Sequence, residues 1–515
     1  MENRLREALK GGRFAITVEV VPASRDRALE ESLGPALTLA GALADEPRVA
    51  GLSVTDRVRS DDDHDPVRVA AALARASGIV PVVHLSGKDR EPDQLALSLG
   101  ALAEAGLDNI LCVTGDRLKA VPADRPVRYV DSVDAVRLTR WLLPSALIGA
   151  GVSPFKYTEE ESLNQYFKMA KKHAAGADFV VTQIGWDMRK LAELIRYRRE
   201  RGLDQPVMAN LMLLPAGVAR RIHKGGVPGV VVTDDLLALV EFEAQAPDKG
   251  RAARLGRLAL QIVGAQRLGY AGVQLSGLAT AEDVRRALDL AGEWSSRLPT
   301  ADEWRLAWDE LMRLPTGGAA RLDPPPGYFL FDAGARAGAA EAPPAHLRRR
   351  YMALRAAHGA IFHRASPVFR LLRPMARRVP AGSRLASWLE RLERLIKEPL
   401  VGCQMCGHCR LPETFYVCPE TCPKGLANGP CGGSSGNICE AGERECIHSV
   451  LYRLAKAAGR LDALERALVA PVPEPRGGSS WLNYFAGRSP DAAQEADGRR
   501  LPHPAPPPER IGQVK

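Results

Sequence analysis

Eight short apolar runs, rich in β-branched residues, recur between residue 14 and about residue 280. Ala-, Leu- and Arg-rich stretches with apolar residues at helical spacing separate them. Alternation of strand and helix predicts a parallel sheet, and runs that are apolar on both faces predict that helices cover it. Eight such units fit a (β/α)8 barrel better than a doubly wound open sheet. The predicted strands are 14–21, 49–55, 79–85, 109–115, 146–152, 178–184, 206–213 and 271–277.

A ninth run, Gly-Val-Val-Val-Thr at 229–233, complicates this count. It follows two glycines and a proline at an irregular interval, so we assign it to the connection between the seventh and eighth strands.

Composition changes along the rest of the chain. The expected fold class is α/β: a (β/α)8 TIM barrel, followed by a basic helical segment and a small cysteine-rich domain. The expected organisation is a barrel at 1–298, a turn-rich linker at 299–344, the basic segment at 345–400, the cysteine-rich domain with its C-terminal helix at 401–487, and a disordered tail at 488–515.

The excess positive charge of the chain is concentrated in one segment. Its 515 residues carry 70 Lys+Arg and 61 Asp+Glu, a net charge of +9. The basic segment alone holds 13 Lys+Arg and 3 Glu, a net +10, which leaves −1 for the remainder. No interleaved aromatic platform accompanies these charges, which argues against nucleic-acid binding. No run approaches the ~20 apolar residues of a membrane span, and no apolar signal segment opens the chain, so we expect a cytoplasmic protein.

Polar residues stand where the predicted strands end, the edge at which barrel enzymes carry their chemistry. Glu19 lies within an apolar strand, and a carboxyl group short of water there would act as a general acid near neutral pH. Pairing with an arginine is the alternative for Glu19, and a structural hydrogen bond is the alternative for His84. The candidates are Glu19, Thr55, Asp56, His84, Thr114, Gly115, Asp116, Ser153, Gln183 and Asn210.

Eight of the nine cysteines lie within 44 residues, and Cys112 alone is expected in the barrel core. Such crowding in a large chain without an export signal indicates metal ligation. The C-x2-C-x2-C start suits a [4Fe–4S] cluster, so the eight thiolates could hold two clusters, or one cluster and a zinc ion; structural zinc alone is the alternative. The predicted ligands are Cys403, Cys406, Cys409, Cys418, Cys422, Cys431, Cys439 and Cys446.

The strand-end series resembles the methylenetetrahydrofolate reductase family over about residues 10–295. The resemblance rests on Val18-Glu19, Ser53-Val54-Thr55, Val83-His84-Leu85, Thr114-Gly115-Asp116 and Ala175–Phe179 leading to Thr182-Gln183. It implies a flavin, FAD or FMN, in the barrel mouth with methylenetetrahydrofolate stacked on it. It also implies Glu19 as general acid, Asp116 beside flavin and folate, and Gln183 on the pterin. Flavin-binding positions would be Thr55, His84, Thr114, Gly115, Asp116, Lys171 and Lys172, the two lysines at the phosphate.

The sequence departs from the family pattern at three places. Ile184-Gly185-Trp186-Asp187 replaces an aromatic run, which questions direct use of NAD(P)H. Thr114 stands where a basic residue is common and Ser153 where an aromatic is familiar, which leaves FAD and FMN open.

Residues 403–450 resemble the cysteine-rich C-terminal domain that is fused to, or partnered with, some methylenetetrahydrofolate reductases. That likeness implies electron supply to the flavin. We therefore expect interconversion of 5,10-methylenetetrahydrofolate and 5-methyltetrahydrofolate, with electrons relayed through an iron–sulfur domain. The alternative is a non-catalytic folate-binding scaffold of a methyl-transfer complex, with a structural zinc domain. The basic segment would dock an acidic electron carrier or partner subunit, or merely bridge two domains, and we expect a homo-oligomer or a complex subunit.

Overall fold

The computed structural model describes residues 1–489 except 27, 119–128, 333, 335–336 and 475. Most of the predicted disordered tail therefore lies outside the described residues. Eight parallel strands close into a barrel in the order β1 to β8, which confirms the predicted fold class. The strands are β1 Ala15–Val20, β2 Gly51–Val54, β3 Val82–Ser86, β4 Asn109–Val113, β5 Leu147–Val152, β6 Phe179–Thr182, β7 Val207–Met212 and β8 Gly272–Ser276.

Helices surround the barrel. Nearly every strand residue is therefore buried, on both the inner and the outer face of the barrel. The register sets Glu19 of β1 beside Ser53 of β2, and β8 closes the ring by pairing with β1. The barrel helices are α1 Arg4–Lys10, α2 Leu29–Ala44, α3 Pro66–Ser77, α4 Pro92–Glu104, α5 Ser132–Leu142, α6 Glu159–Ala174, α7 Met188–Glu200, α8 Ala216–His223, α9 Asp234–Glu243, α10 Arg251–Leu268 and α11 Ala281–Arg297.

The ninth apolar run is a connection, as its spacing predicts. Residues 230–233 have no strand pairing and lead from α8 into α9. Val230 and Val232 are buried in the main hydrophobic core, which explains the apolar composition of this loop.

The C-terminal half packs against the barrel. Helix α12 Ala301–Leu311 follows α11, and the chain then crosses α6 and α7 before the basic segment begins. None of the helices in the described ranges is long and apolar enough to cross a membrane. The remaining helices are α13 Ala345–Ile361, α14 Pro367–Arg377, α15 Arg384–Val401, a 3-10 turn Pro419–Thr421, α16 Ile447–Ala457, α17 Leu461–Arg466 and α18 Ser480–Ala486.

Candidate active site and cysteine centres

A chain of hydrogen bonds crosses four neighbouring strands at the barrel mouth. Gln274 of β8 donates from Nε2 to Glu19 Oε2 over 3.2 Å. Its Oε1 accepts from Ser53 Oγ at 2.8 Å, and the same hydroxyl lies 2.8 Å from His84 Nε2. Because the hydroxyl has one proton, donation to Gln274 leaves it to accept from the Nε2–H of His84. The general-acid candidate is therefore oriented by side chains from β8, β2 and β3.

Burial controls the protonation of Glu19. It raises the pKa of the Glu19 carboxyl from 4.5 to about 7, while side-chain hydrogen bonding with Ser276 and Gln274 acts in the opposite direction. Glu19 forms no ion pair with any described residue, so the arginine partner considered from sequence is not found there. A carboxyl group with this pKa can donate a proton near neutral pH.

His84 is neutral in this arrangement. Burial lowers its pKa from 6.5 to about 4, although nearby Asp56 favours the charged form. Asp56 is itself held by Ser86 N at 2.8 Å and by Arg90 Nη1 at 2.6 Å. The structure therefore places His84 as a neutral hydrogen-bond donor inside the mouth, with Asp56 fixed beside it.

Two buried hydroxyl groups at the strand ends have no hydrogen-bond partner among the residues that the structure describes. Thr55 Oγ1 after β2 and Ser153 Oγ after β5 make no hydrogen bond within the described residues. Thr114 differs, because its Oγ1 accepts from Ser132 N at 3.3 Å. A buried unpaired hydroxyl costs free energy unless water or a ligand satisfies it. These positions therefore fit a polar ligand such as a flavin in the mouth.

Gly115 makes the turn after β4 possible. Its φ is +85°, and a Cβ there would lie 2.8 Å from Lys88 Cβ, so no other residue fits without a shift. The next residue, Asp116, accepts from the Tyr129 hydroxyl through its backbone oxygen at 3.1 Å. Its carboxylate interacts electrostatically with Lys424, a residue of the cysteine-rich region.

The other strand-end candidates have local roles. Gln183 is partly accessible, and its Oε1 accepts from Ile184 N at 2.9 Å. Asn210 accepts from Ser276 Oγ at 2.7 Å, which orients a hydroxyl that also reaches Glu19. Trp186, the aromatic of the altered run, is 2% exposed. It thus belongs to the core and offers no exposed stacking face.

Lys171 and Lys172 lie on α6, beneath the cysteine-rich region. Lys171 lines a cavity with Asn428 and His448, and Lys172 donates to the backbone oxygen of Gly151 on β5. Burial lowers the pKa of Lys171 to about 8 and that of Lys172 to about 7. These contacts lie apart from the hydrogen-bonded group of Glu19 and His84, so the structure does not join the two lysines to it.

The eight clustered cysteines form two groups of four. Cys418 interacts electrostatically with Cys403, Cys406 and Cys409; this group is the first quartet. Cys446 interacts in the same way with Cys422, Cys431 and Cys439, the second quartet. The first quartet lines a cavity with Glu393 and Lys397. The ninth cysteine, Cys112, is fully buried in the barrel core.

Four cysteine thiols are a donor set that binds either zinc or an iron–sulfur cluster. Within the described residues, no three His, Cys, Asp or Glu side chains are arranged to hold one metal ion. Tetrahedral zinc needs four thiolates, each about 2.3 Å from one point. Four thiolates are also the ligand set of a [4Fe–4S] cluster, so the donor set of each quartet fits the predicted clusters and structural zinc alike.

The loop that carries Cys431 lies against the barrel mouth. Lys156, after β5, donates to Gly432 O over 2.7 Å, and a Cβ on Gly432 would lie 3.5 Å from Ser153 Cβ. A Cβ on Gly229, in the loop after α8, would lie only 2.1 Å from Gly432 O. The second quartet is therefore next to the loops that follow β5 and α8.

Sequence reasoning missed Gln274, Ser276 and Lys424. The first two are polar residues within the last apolar strand run, and that contrast, the same one that identified Glu19, could have found them. Lys424 has no such signal, because only the packing of two distant segments brings it to Gly115.

Two family models match the chain. Residues 4–241 match the model described as methylenetetrahydrofolate reductase, and residues 384–472 match the model described as methylene-tetrahydrofolate reductase C terminal. No curated protein matches the chain.

Two solved structures are similar in part. An uncharacterized protein from Clostridium thermocellum that binds two copies of 5-methyl-5,6,7,8-tetrahydrofolic acid has 12% identity and a TM-score of 0.43, covering 57% of this chain and 99% of its own. The apo-form of a putative deoxyribose-phosphate aldolase from Toxoplasma gondii ME49 has 14% identity and a TM-score of 0.30, covering 56% and 97%. At these TM-scores neither likeness bears on the ligands of this chain.

Proposed function

Because the chain combines a methylenetetrahydrofolate reductase domain with the C-terminal domain of that family, we propose that it interconverts 5,10-methylenetetrahydrofolate and 5-methyltetrahydrofolate. The observation that carries the proposal is Glu19, a carboxyl group in the mouth of the family barrel with a pKa of about 7. Reduction of the methylene group requires a proton at a ring nitrogen of the folate. A neutral carboxyl at the strand ends is suited to supply it.

The residues around Glu19 orient the proton. Gln274 holds one carboxyl oxygen, and the neutral His84 fixes Gln274 through Ser53. We propose that Gln183 binds the pterin and that Asp116 lies beside both ligands. A flavin bound at Thr55, His84 and the Thr114–Asp116 turn would supply hydride transfer. Lys171 and Lys172 remain the proposed phosphate contacts, provided that ligand binding opens their present packing.

The two cysteine quartets are the proposed ligands of two [4Fe–4S] clusters. Clusters of this kind supply single electrons. They would replace a nicotinamide as the electron source, since the altered 184–187 run presents no exposed aromatic for one. The first quartet lies with α15 of the basic segment, and the second adjoins the barrel mouth. This arrangement supports a route in which electrons enter at the basic segment, pass from the first quartet to the second, and leave beside the turn after β4.

The basic segment is suited to an acidic electron carrier. Ten of its arginines are exposed and form no ion pair with any residue that the structure describes: Arg348, Arg349, Arg355, Arg370, Arg373, Arg377, Arg378, Arg384, Arg391 and Arg394. Large apolar side chains stand among them, with Leu371 66% and Trp388 58% exposed. Uncompensated positive charge around apolar anchors steers and then binds an acidic surface.

Charge reversal tests this docking surface. Photoreduced acidic ferredoxin should reduce the full-length protein at a rate that falls steeply with salt, and R377E/R378E should slow it. R305E, which reverses one exposed charge on α12, is the control for charge reversal outside the basic segment and should not change the rate. Equal rates in all three proteins, or salt independence, would contradict docking at this segment.

The catalytic proposal is tested without an external partner. Anaerobically purified protein should contain flavin, iron and acid-labile sulfide, and 5-methyltetrahydrofolate should bleach the flavin band. Bound flavin that methyltetrahydrofolate cannot reduce would contradict catalysis and favour the folate-binding scaffold. Colourless protein containing only zinc would contradict the cluster assignment.

A further inference from the structure

Each cysteine quartet has a buried lysine–glutamate pair beside it. Lys397 of α15 pairs with Glu393 at 2.8 Å, and its Nζ lies 3.4 Å from Cys409 Sγ of the first quartet. Lys424 pairs with Glu440, whose Oε1 lies 3.2 Å from Cys431 Sγ of the second quartet. Buried ion pairs contribute little net stability, so stability alone does not account for one at each quartet.

The charges of both lysines interact with the quartet sulfurs with little screening by solvent. The side chains of Lys397 and Lys424 are 9% and 4% exposed, so solvent screens their charges weakly. Lys424 interacts electrostatically with Cys431, and Lys397 interacts with Cys403 as well as Cys409. Each positive charge therefore acts mainly on its own quartet.

We infer that Lys397 and Lys424 set the reduction potentials of the two cysteine centres, each through its fixed charge. This inference rests on the proposed function in one respect, that the quartets hold iron–sulfur clusters. Reduction adds one electron to a cluster, with no proton transferred and no bond broken. A nearby cation stabilises the added negative charge and raises the potential, whereas a nearby carboxylate lowers it.

Lys424 also positions the second quartet against the barrel. Its Nζ donates to Gly115 O over 2.7 Å and lies 5.2 Å from the ring centroid of Tyr129. The same ammonium group interacts with the carboxylate of Asp116. Lys424 thus joins the quartet beside the mouth to the turn proposed to hold the flavin, whereas Lys397 contacts Glu393, Cys409 and Ser480.

The test is a redox titration of the anaerobic full-length protein with dithionite, monitored by EPR. K424M should move the midpoint potential of one cluster to a more negative value and leave the other unchanged. E440Q should move that same cluster in the opposite direction, because it removes a negative charge. K397M should lower the potential of the other cluster, and K224M, at an exposed lysine after α8, should change neither.

The result is decisive because each variant has a predicted sign for its shift in midpoint potential and should affect only one cluster. Unchanged potentials in K424M and K397M, at wild-type iron and sulfide contents, would overturn the inference while leaving the proposed function intact. Shifts of the same sign in K424M and E440Q would also overturn it, because they would show that altered packing, and not the removed charge, changes the potential. If K424M does not fold, E440Q alone gives the sign. Wild-type protein without iron and sulfide refutes the clusters themselves, and metal analysis identifies that failure separately.

Discussion

Replacement of Glu19 by glutamine removes the proton donor while keeping the size and hydrogen-bonding capacity of the side chain. A pKa raised from 4.5 to about 7 corresponds to about 3 kcal/mol of unfavourable free energy for the ionised carboxylate in the fold. That figure is an upper value, because Glu19 is only partly buried by surface area and water reaches part of the side chain. Loss of a general acid lowers kcat by about 10²- to 10⁴-fold.

The pH dependence has a definite sign in each direction. Methylene reduction needs protonated Glu19, so its rate should fall as pH rises through about 7. Methyltetrahydrofolate oxidation needs the ionised form and should fall as pH decreases through the same value. The folded state binds the Glu19 proton more tightly than the unfolded state, so wild-type stability decreases between pH 4.5 and about 7. E19Q should lack this decrease and melt higher than wild type at pH 8.

The assay is anaerobic methyltetrahydrofolate oxidation with benzyl viologen as acceptor, combined with thermal melts and flavin absorbance at each pH. E46Q is the control, because Arg48 lowers the pKa of Glu46 and the pair lies at the turn before β2. It should keep wild-type kinetics and lose stability at neutral pH. An E19Q protein with bound flavin and wild-type turnover, or a wild-type rate without a titration near pH 7, would refute the reasoning.

Two further predictions concern the cysteine centres and the domain contact. C431S should lose about half of the iron and sulfide because it breaks only the second quartet, whereas C112S, in the barrel core, should retain both in full. Metal and sulfide analysis measures this, and an equal loss in the two variants would contradict the division of the cysteines into two quartets. G229A should lower stability by about 1–3 kcal/mol in chemical denaturation, because its Cβ would meet Gly432 O at 2.1 Å. G217A, on α8 with open space around it, should be neutral or stabilising by up to about 1 kcal/mol, and equal effects of the two substitutions would argue against the close approach of the two loops.

The barrel was predictable because its signal is repeated and local. Each strand is a short apolar run, and all eight predicted runs coincide with observed strands. Glu19 was identifiable because a carboxyl group interrupts such a run. Its surroundings were not, because Gln274 and Ser276 come from a strand more than 250 residues away, and closure of the ring brings them beside Glu19.

The grouping of the eight cysteines into two quartets could not be predicted from the sequence, for a different reason. Ligand spacing along the chain allows many groupings of eight thiols into fours, and only folding selects one. Here the groups follow chain order, with Cys418 closing the first and Cys422 opening the second. The short 3-10 turn Pro419–Thr421 lies between these two residues and separates the quartets.

Helix α6 shows why a polar surface cannot be assigned from sequence alone. Its acidic first turn and basic last turn are typical of a solvent-exposed helix, yet fourteen of its sixteen residues are buried. The C-terminal region supplies the partners: Tyr452 and Lys456 bind Glu159, and Lys168 donates to Gly429 O over 3.0 Å. Since Gly429 is two residues from Cys431, the helix that packs on β5 also holds the loop of the second quartet. The cysteine-rich region is thereby attached to the barrel through the buried charged side chains of α6, which fix its distance from the mouth more firmly than a flexible linker would.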